Sequence, residues 1–554
     1  MAPSEADREP PSVTDAPVPS PTPFHGRLLA TLFTAAALLT LVMMVIRLIT
    51  CRDELILVTG GAGGVSVYPL WKLIHDFPLY EAPTEGTFTF TLYNFFFYHL
   101  YGLILGALGA DDGRIIVYGR WITLAFAVAG AVFQAGLVRT LLPGALSRSQ
   151  AVALGSLVTV AWLGWDTVWW YSTTVRPDVP SMTLVTAALL LSVRSLQREC
   201  TRTMIVAALV FYLAWSFKQT SVWTLTAVTL YCLGTKRWRL AAVLCVICIG
   251  LFVATLVVGG HDYRANVLHG PTVNRWFPKI MLRNIAMVGF KSWFFVLFAL
   301  WPLAWLRRLY VAPGTAHEST APIGVIKLAL VVSFLTCAVT GGKSGSSLNH
   351  FFEPLFHAIT LAVVILLSFV ARPREGRPLL AKLAPPLWAL VVLGLLVHLL
   401  VPAGVSSTEF LFADSVRSHR QAAARRHVLV EHIQQVPKPL FFDEEVLGQP
   451  WHATDGKHPA TVIDHVFYKG AKRKGLLAGG GVGKLIEDGH YRAVITKQEK
   501  GRAKPSTDAY EAVTEQGIEP STFPPGSDGE KAPAGVRRRA RRLHGLNLYV
   551  MPEP

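Results

Sequence analysis

The segment "TFTLYNFFFYHLYGLILGALGA", residues 89–110, decides how this chain is threaded. A membrane-crossing helix needs about 20 apolar residues, and this run has the length and the composition for one. If it crosses, everything after it changes sides. The basic residues settle the question. Suppose that 89–110 does not span. Then Arg139 and Arg148 share one side with Arg194, Arg198 and Arg202, with Lys236, Arg237 and Arg239, with Arg307 and Arg308, and with Arg372, Arg374 and Arg377. Each cluster flanks the end of an apolar run, and all lie on the side of the N-terminus, which is the positive-inside pattern. The segment is therefore read as a helix lying in the outer interface.

Outward from this segment, apolar runs fall near 28–50, 120–141, 150–170, 180–197, 203–217, 220–235, 240–259, 285–305, 325–341, 355–371 and 384–403. That gives about eleven spans in a domain covering 27–403. The composition agrees: 52% of the 554 residues are hydrophobic and 16% charged, with mean hydropathy +0.40. An ordinary soluble protein is excluded, and an all-α polytopic membrane protein is expected. The net charge of +16 is first a topology signal. The six cysteines show no metal or disulfide spacing, and the Cys245/Cys248 pair sits inside an apolar run as packing. Residues 1–26, rich in Pro, Ser and acid, read as a disordered cytoplasmic tail. Residues 404–554 are polar with mixed signals such as "KPLFFDEEV" and "HYRAVIT". They read as a small α/β domain, placed outside the membrane by the span count, with a basic tail at "RRRARR", 537–542.

Two glycine runs imitate nucleotide loops. "TGGAGG", 59–64, has Gly60 and Gly63 at dinucleotide-loop spacing, but the third position is Ser66 and an apolar span precedes it. "AGGGVGKL", 478–485, has Ala478 and Leu485 where a phosphate loop needs Gly and Ser or Thr. Both read as glycine loops. After the first comes "VYPLWKLIHDFPLYE", in which Tyr68, Trp71, Leu73, Ile74, Leu79 and Tyr80 suit an amphipathic interfacial helix and turn.

With this topology the unusual polar residues gather on the outer side. They are Arg52, Asp53 and Glu54; Asp111, Asp112, Arg114 and Arg120; Arg176 and Asp178 in "TTVRPDVPS"; Lys218 and Gln219 in "FKQTS"; His261, Asp262 and Tyr263; and Lys343, Ser344, Asn349, His350 and Glu353 in "GGKSGSSLNHFFEP". Ionisable groups so close to span ends line a cavity more readily than they face lipid. Cations neutralise a phosphate, acids take a proton, and aromatic walls hold a lipid. A transferase with a lipid-phosphate donor needs this set.

At these residues the chain resembles the GT-C glycosyltransferases that use polyprenyl-phosphate sugars, the superfamily that includes protein mannosyltransferases and lipid A aminoarabinose transferases. The likeness runs over residues 28–370. "YPLWKLIHDFPLYE" with "LYNFFFYHLYGLILGALG" resembles the first outer loop, "GRWITL" the arginine that opens the second span, "RPDVPSMTLVTAALLL" the second outer loop, and "FKQTSVW" and "GSSLNHFFEP" later outer-edge motifs. It implies a bacterial cell-envelope enzyme of the inner membrane, inverting, with a polyprenyl-phosphate sugar and a glycan, lipid or protein acceptor as partners. It implies no nucleic acid and no required cofactor, and divalent-metal dependence stays open. It implies that Arg120 contacts phosphate with Arg176, Lys218 and Lys343. Asp178 matches the second-loop acid. Tyr68, Tyr80, Gln219, Asn349, His350 and Glu353 fall in the pocket. The family's first-loop acid, a few residues before the place of Tyr68, is replaced here by glycine. Three assignments of the base stand open, with Asp178 the first choice: Asp53 or Glu54 reaching in through the glycine loop, Asp178 or another outer acid, or a lost or altered activity. Beside the transferase stand two alternatives, a flippase of lipid-linked glycans and a non-catalytic membrane scaffold.

Overall fold

The computed structural model describes residues 23–53, 56, 64–81, 91–142, 148–293, 321–371, 394, 397, 413–435, 440–443, 461–463, 471–475, 493–497, 521–522 and 546–550. Glu54, most of the first glycine run, the second glycine run, the expected span at 384–403 apart from two positions, and the "RRRARR" tail lie outside them.

Helices dominate because a chain in hydrocarbon must satisfy its own backbone polar groups. In order they are α1 (Pro23–Thr50), α2 (Gly64–Ile74), α3 (Phe95–Ala107), α4 (Ile115–Leu141), α5 (Arg148–Leu163), α6 (Asp166–Tyr171), α7 (Asp178–Arg198), α8 (Thr201–Phe217), α9 (Trp223–Gly234), α10 (Trp238–Val258), α11 (Gly260–Arg264), α12 (Pro278–Lys291), α13 (Ala321–Thr340) and α14 (Phe352–Ala371). Six stretches among the described residues are long and apolar enough to cross a membrane: Ala30–Thr50, Ile115–Leu141, Asp178–Arg198, Trp238–Val258, Ile323–Thr340 and Leu348–Ile365. The chain is an integral membrane protein. The expected run at 150–170 is broken into α5 and α6 at Gly164 and Trp165. Of the run expected at 285–305, α12 starts earlier, at Pro278, and residues beyond 293 lie outside the described set.

The bundle is organised around α7, which packs against α4 and α8 and is buried nearly all round. Further pairs are α1 with α5, α10 with α8 and α9, and α13 with α9 and α14. At the centre Trp162 stacks on Phe356 with ring centroids 3.8 Å apart. Gly130 of α4 makes room for it, since a Cβ there would stand 2.3 Å from the Trp162 ring. In contrast, α10 leaves Val246, Ile249, Val253, Val257 and Val258 exposed. An apolar face of that extent fits lipid and not water. Cys248 is buried on the opposite side, its thiol against the Ala208 carbonyl at 3.4 Å.

The segment that decides the threading contains α3, a helix of 13 residues. At about 1.5 Å per residue it is about 20 Å long, shorter than a hydrocarbon core of about 30 Å. It packs with α2 in an aromatic layer of Tyr68, Trp71, Phe97, Tyr98 and Tyr101, joined by Ile115 of α4 and Phe217 of α8. The side chain of Asn94, just before α3, donates to the Trp215 carbonyl at 2.7 Å and so fixes the start of the helix to the end of α8.

Beyond the bundle, α15 (Ala413–Gln435) precedes a five-stranded sheet of order β2-β1-β3-β5-β4, with β1 Leu440–Asp443, β2 Thr461–Ile463, β3 Ala493–Lys497, β4 Ser521–Thr522 and β5 Leu546–Val550. β2, β1 and β3 run parallel, and β5 pairs antiparallel with β3 and β4. His427 of α15 meets Asp53 at 3.3 Å, and Lys474 donates to the Thr272 carbonyl at 2.7 Å, tying this region to the bundle.

Candidate active site

Helices α7 and α8 form an antiparallel hairpin turned at Glu199, a residue in the left-handed region with φ 49°. The hairpin returns Lys218, at the C-terminal end of α8, to Asp178, the first residue of α7. An acid in the first turn of a helix is favoured by the exposed N–H groups there. Here it is also buried, with its side chain fully inaccessible. Lys218 Nζ lies 2.6 Å from Asp178 Oδ1, and Asn349 Nδ2 donates to the same oxygen at 2.8 Å. Arg176 Nε faces Oδ2 at 3.3 Å, as an ion pair without hydrogen-bond geometry.

The second layer is aromatic and hydroxylic. Arg176 Nη2 donates to the Tyr93 hydroxyl at 2.7 Å, and the guanidinium lies over the Tyr171 ring, 5.2 Å from its centroid. The hydroxyls of Tyr171 and Ser347 are 3.2 Å apart, and Ser347 donates to Asn349 Oδ1 at 2.6 Å. Burial pulls on both cations in the direction of neutrality. Around Arg176 this is more than offset by Tyr93, Tyr171 and Asp178, and around Lys218 chiefly by Asp178, so both pKa values stand above their usual ranges. The cluster carries two cations and one anion, a net of +1, in a place where water screens little.

Beside it opens a cleft of about 330 Å³, its mouth included. Asp178, Lys218, Asn349, His350 and Glu353 line it, together with Thr220, Ser221, Trp223 and Thr340. Five of the residues singled out from the sequence therefore share one cavity, and Arg176 stands against it through Asp178. Among the described residues no three His, Cys, Asp or Glu side chains gather as a metal site would require.

The remaining candidates have other surroundings. Arg120 donates to the backbone carbonyls of Cys51 at 2.5 Å and Ile56 at 2.7 Å, pinning the first loop to α4. Asp53 meets His427. Lys343 Nζ donates to the Pro271 carbonyl at 3.2 Å, and burial together with Lys474 lowers its pKa. Gln219 donates to the Leu92 carbonyl at 2.7 Å. Tyr68 is buried in the aromatic layer, stacked on Trp71, and the Tyr80 hydroxyl donates to the Tyr93 carbonyl at 2.9 Å. Glu54 lies outside the described residues.

Sequence reasoning missed Tyr93 and Tyr171, which read as apolar filler within aromatic runs. It also missed the ion pair of buried Lys72 with partly exposed Glu81, 3.0 Å apart. Burial lowers the Lys72 pKa, opposed by Glu81. The signal for that pair was a lysine within the apolar face of "YPLWKLI" followed by an acid after the turn.

No protein-family model matches the chain, and no curated protein matches its sequence. Solved structures do match it. ArnT from Cupriavidus metallidurans bound to undecaprenyl phosphate superposes with a TM-score of 0.53 at 13% identity, over 94% of this chain and 99% of that one. The same protein in the apo state gives a TM-score of 0.52 at 12% identity over the same shares. The chain thus has the fold of ArnT, the fold implied by the resemblance of its outer-loop motifs to GT-C glycosyltransferases.

Proposed function

We propose that this chain is a membrane glycosyltransferase that moves a sugar from a polyprenyl-phosphate donor to an acceptor hydroxyl on the extracytoplasmic face, with inversion. The observation that carries the proposal is the buried Arg176–Asp178–Lys218 cluster at the wall of a cleft, within the fold of a protein whose structure holds undecaprenyl phosphate. In this reading Asp178 sets the positions of two cations and leaves a net positive charge for the phosphate that departs. Fixed charges in a dry site stabilise a leaving phosphate without reorganisation. The ionic groups stand at helix ends, unlike the midplane sites on broken helices that transporters use.

The proposal includes the threading: about eleven spans, α3 in the outer interface, the N-terminus in the cytoplasm, and residues 404–554 as an extracytoplasmic α/β domain. The contact of His427 with Asp53 supports a domain that packs beside the first loop.

The test uses purified full-length chain in lipid nanodiscs with labelled undecaprenyl-phosphate pentoses and hexoses, and wild type, Asp178→Asn and Glu54→Gln side by side. Release of undecaprenyl phosphate by wild type supports the proposal. No release from any donor, with movement of lipid-linked glycan across vesicles instead, contradicts it.

A further inference from the structure

Two carboxylates line the same cleft, and they differ in what holds them. Asp178 Oδ1 receives two donors and Oδ2 faces a guanidinium. The Oδ1 lone pairs are taken by Lys218 and Asn349, Oδ2 is closed off by the Arg176 guanidinium, and the side chain has no exposed surface, so it is badly placed to receive a proton from a substrate. Glu353 is buried at 4% exposure, and neither of its oxygens meets a side-chain donor. It faces the backbone N–H groups of Trp223 and Thr224, the first two residues of α9, and among the described residues it forms no salt bridge. A buried carboxylate so poorly compensated is costly to the fold. It lies in the cleft beside Lys218, Thr340 and His350.

From this contrast we propose that Glu353 is the catalytic base of the transfer, and that Asp178 is a positioning residue for the donor-phosphate cations. The inference rests on the transferase reading above. In the step, the acceptor oxygen bonds to the anomeric carbon while the bond from that carbon to the phosphate oxygen breaks. The bonding pair leaves with the phosphate beside Lys218 and Arg176, and the hydroxyl proton passes to Glu353. The products are the inverted glycoside, polyprenyl phosphate and a protonated Glu353, which returns its proton to water as the cleft empties. The assignment supplies an acid to the cleft in a chain whose first outer loop has glycine in the expected place. It also puts the acceptor hydroxyl in the part of the cleft lined by Glu353, Thr340 and Trp223.

The experiment compares wild type, Glu353→Gln and Glu353→Asp, as full chains in nanodiscs, with labelled undecaprenyl-phosphate sugars as donors and octyl β-glucoside as the hydroxyl acceptor. Undecaprenyl-phosphate affinity and thermal midpoint are measured on the same samples. The expected result is a transfer rate lower by about 10²–10⁴-fold in Glu353→Gln, phosphate affinity within about twofold of wild type, and partial recovery in Glu353→Asp. Three results overturn the assignment. Transfer by Glu353→Gln within tenfold of wild type leaves no base to lose. Phosphate affinity falling in proportion to rate makes Glu353 a binding group. A wild type that turns over no donor removes the transferase reading itself, and that failure is visible before any variant is made.

Discussion

Lys218 and Asp178, forty positions apart in the chain, meet at 2.6 Å in the buried wall of the cleft because α7 and α8 form a hairpin. Neither charge is stable there alone. Removing one partner of a buried pair costs about 3–5 kcal/mol, since the other is left uncompensated. Asp178→Asn and Lys218→Gln are each expected to be strongly destabilising, and the double variant less so than their sum. Unfolding of the purified chain in nanodiscs, run as a double-mutant cycle, measures the coupling. Additive effects would show that the pair is not energetically joined.

Arg120 pins the first loop to α4. Its guanidinium holds the carbonyls of Cys51 and Ile56, and so fixes the route of the first loop as it leaves α1. Arg120→Ala leaves these buried carbonyls unpaired, at about 1–3 kcal/mol each. Amide exchange across residues 51–56 is expected to quicken. Arg120→Lys, a single point charge in place of the planar fork, is expected to protect the loop only in part. Unchanged exchange in Arg120→Ala would mean that the loop is held by other contacts.

Gly119 stands where α4 passes the loop that carries Arg176. A Cβ there would lie 2.7 Å from Val175 Cγ2. Gly119→Ala must push Val175, and Arg176 follows it in the chain. Overpacking of this kind costs about 1–3 kcal/mol. The expected outcome is a weaker undecaprenyl-phosphate affinity together with a modest loss of stability. Gly106, whose added Cβ meets nothing, is the control: Gly106→Ala should leave affinity unchanged.

Lys343 gives a pH dependence. Burial, joined by the nearby Lys474, lowers its pKa below the ordinary 10.5. Between the folded value and 10.5 the unfolded chain binds more protons than the folded one, so stability rises with pH there. The contribution is complete above 10.5 and is lost as pH falls through the folded pKa. Thermal midpoints across alkaline pH should therefore rise in wild type relative to Lys343→Met, and the rise should shrink in Lys474→Ala. Parallel curves for all three would contradict the coupling.

Much of the fold was legible because a membrane chain states its helices plainly. The apolar runs near 120–141, 180–197, 203–217 and 240–259 fall within or against α4, α7, α8 and α10. The site was legible by type: Asp178, Lys218, Asn349, His350 and Glu353 are polar or ionisable residues near span ends, and they share a cleft. Their relations were not legible. Nothing in "RPDVPS" says that Asp178 is enclosed by cations, because Lys218 and Asn349 arrive from distant segments. Arg120 was expected at phosphate from its place in "GRWITL", whereas a guanidinium at a helix start is equally suited to backbone carbonyls, and these are what it holds. Tyr93 and Tyr171 were hidden by their own apolarity.

Recognition of a phosphate by the Arg176–Asp178–Lys218 cluster is tested most directly by equilibrium binding of undecaprenyl phosphate to the full chain in nanodiscs. Arg176→Gln is the informative variant, because Lys218 and Asp178 stay paired while the net charge of the cluster falls from +1 to zero. Wild type is expected to bind undecaprenyl phosphate saturably and to ignore undecaprenol, with affinity at least about tenfold weaker in Arg176→Gln, the loss of one charge-assisted contact of about 1.5–3 kcal/mol. Equal binding of undecaprenol and undecaprenyl phosphate, or an unchanged affinity in Arg176→Gln, would contradict it.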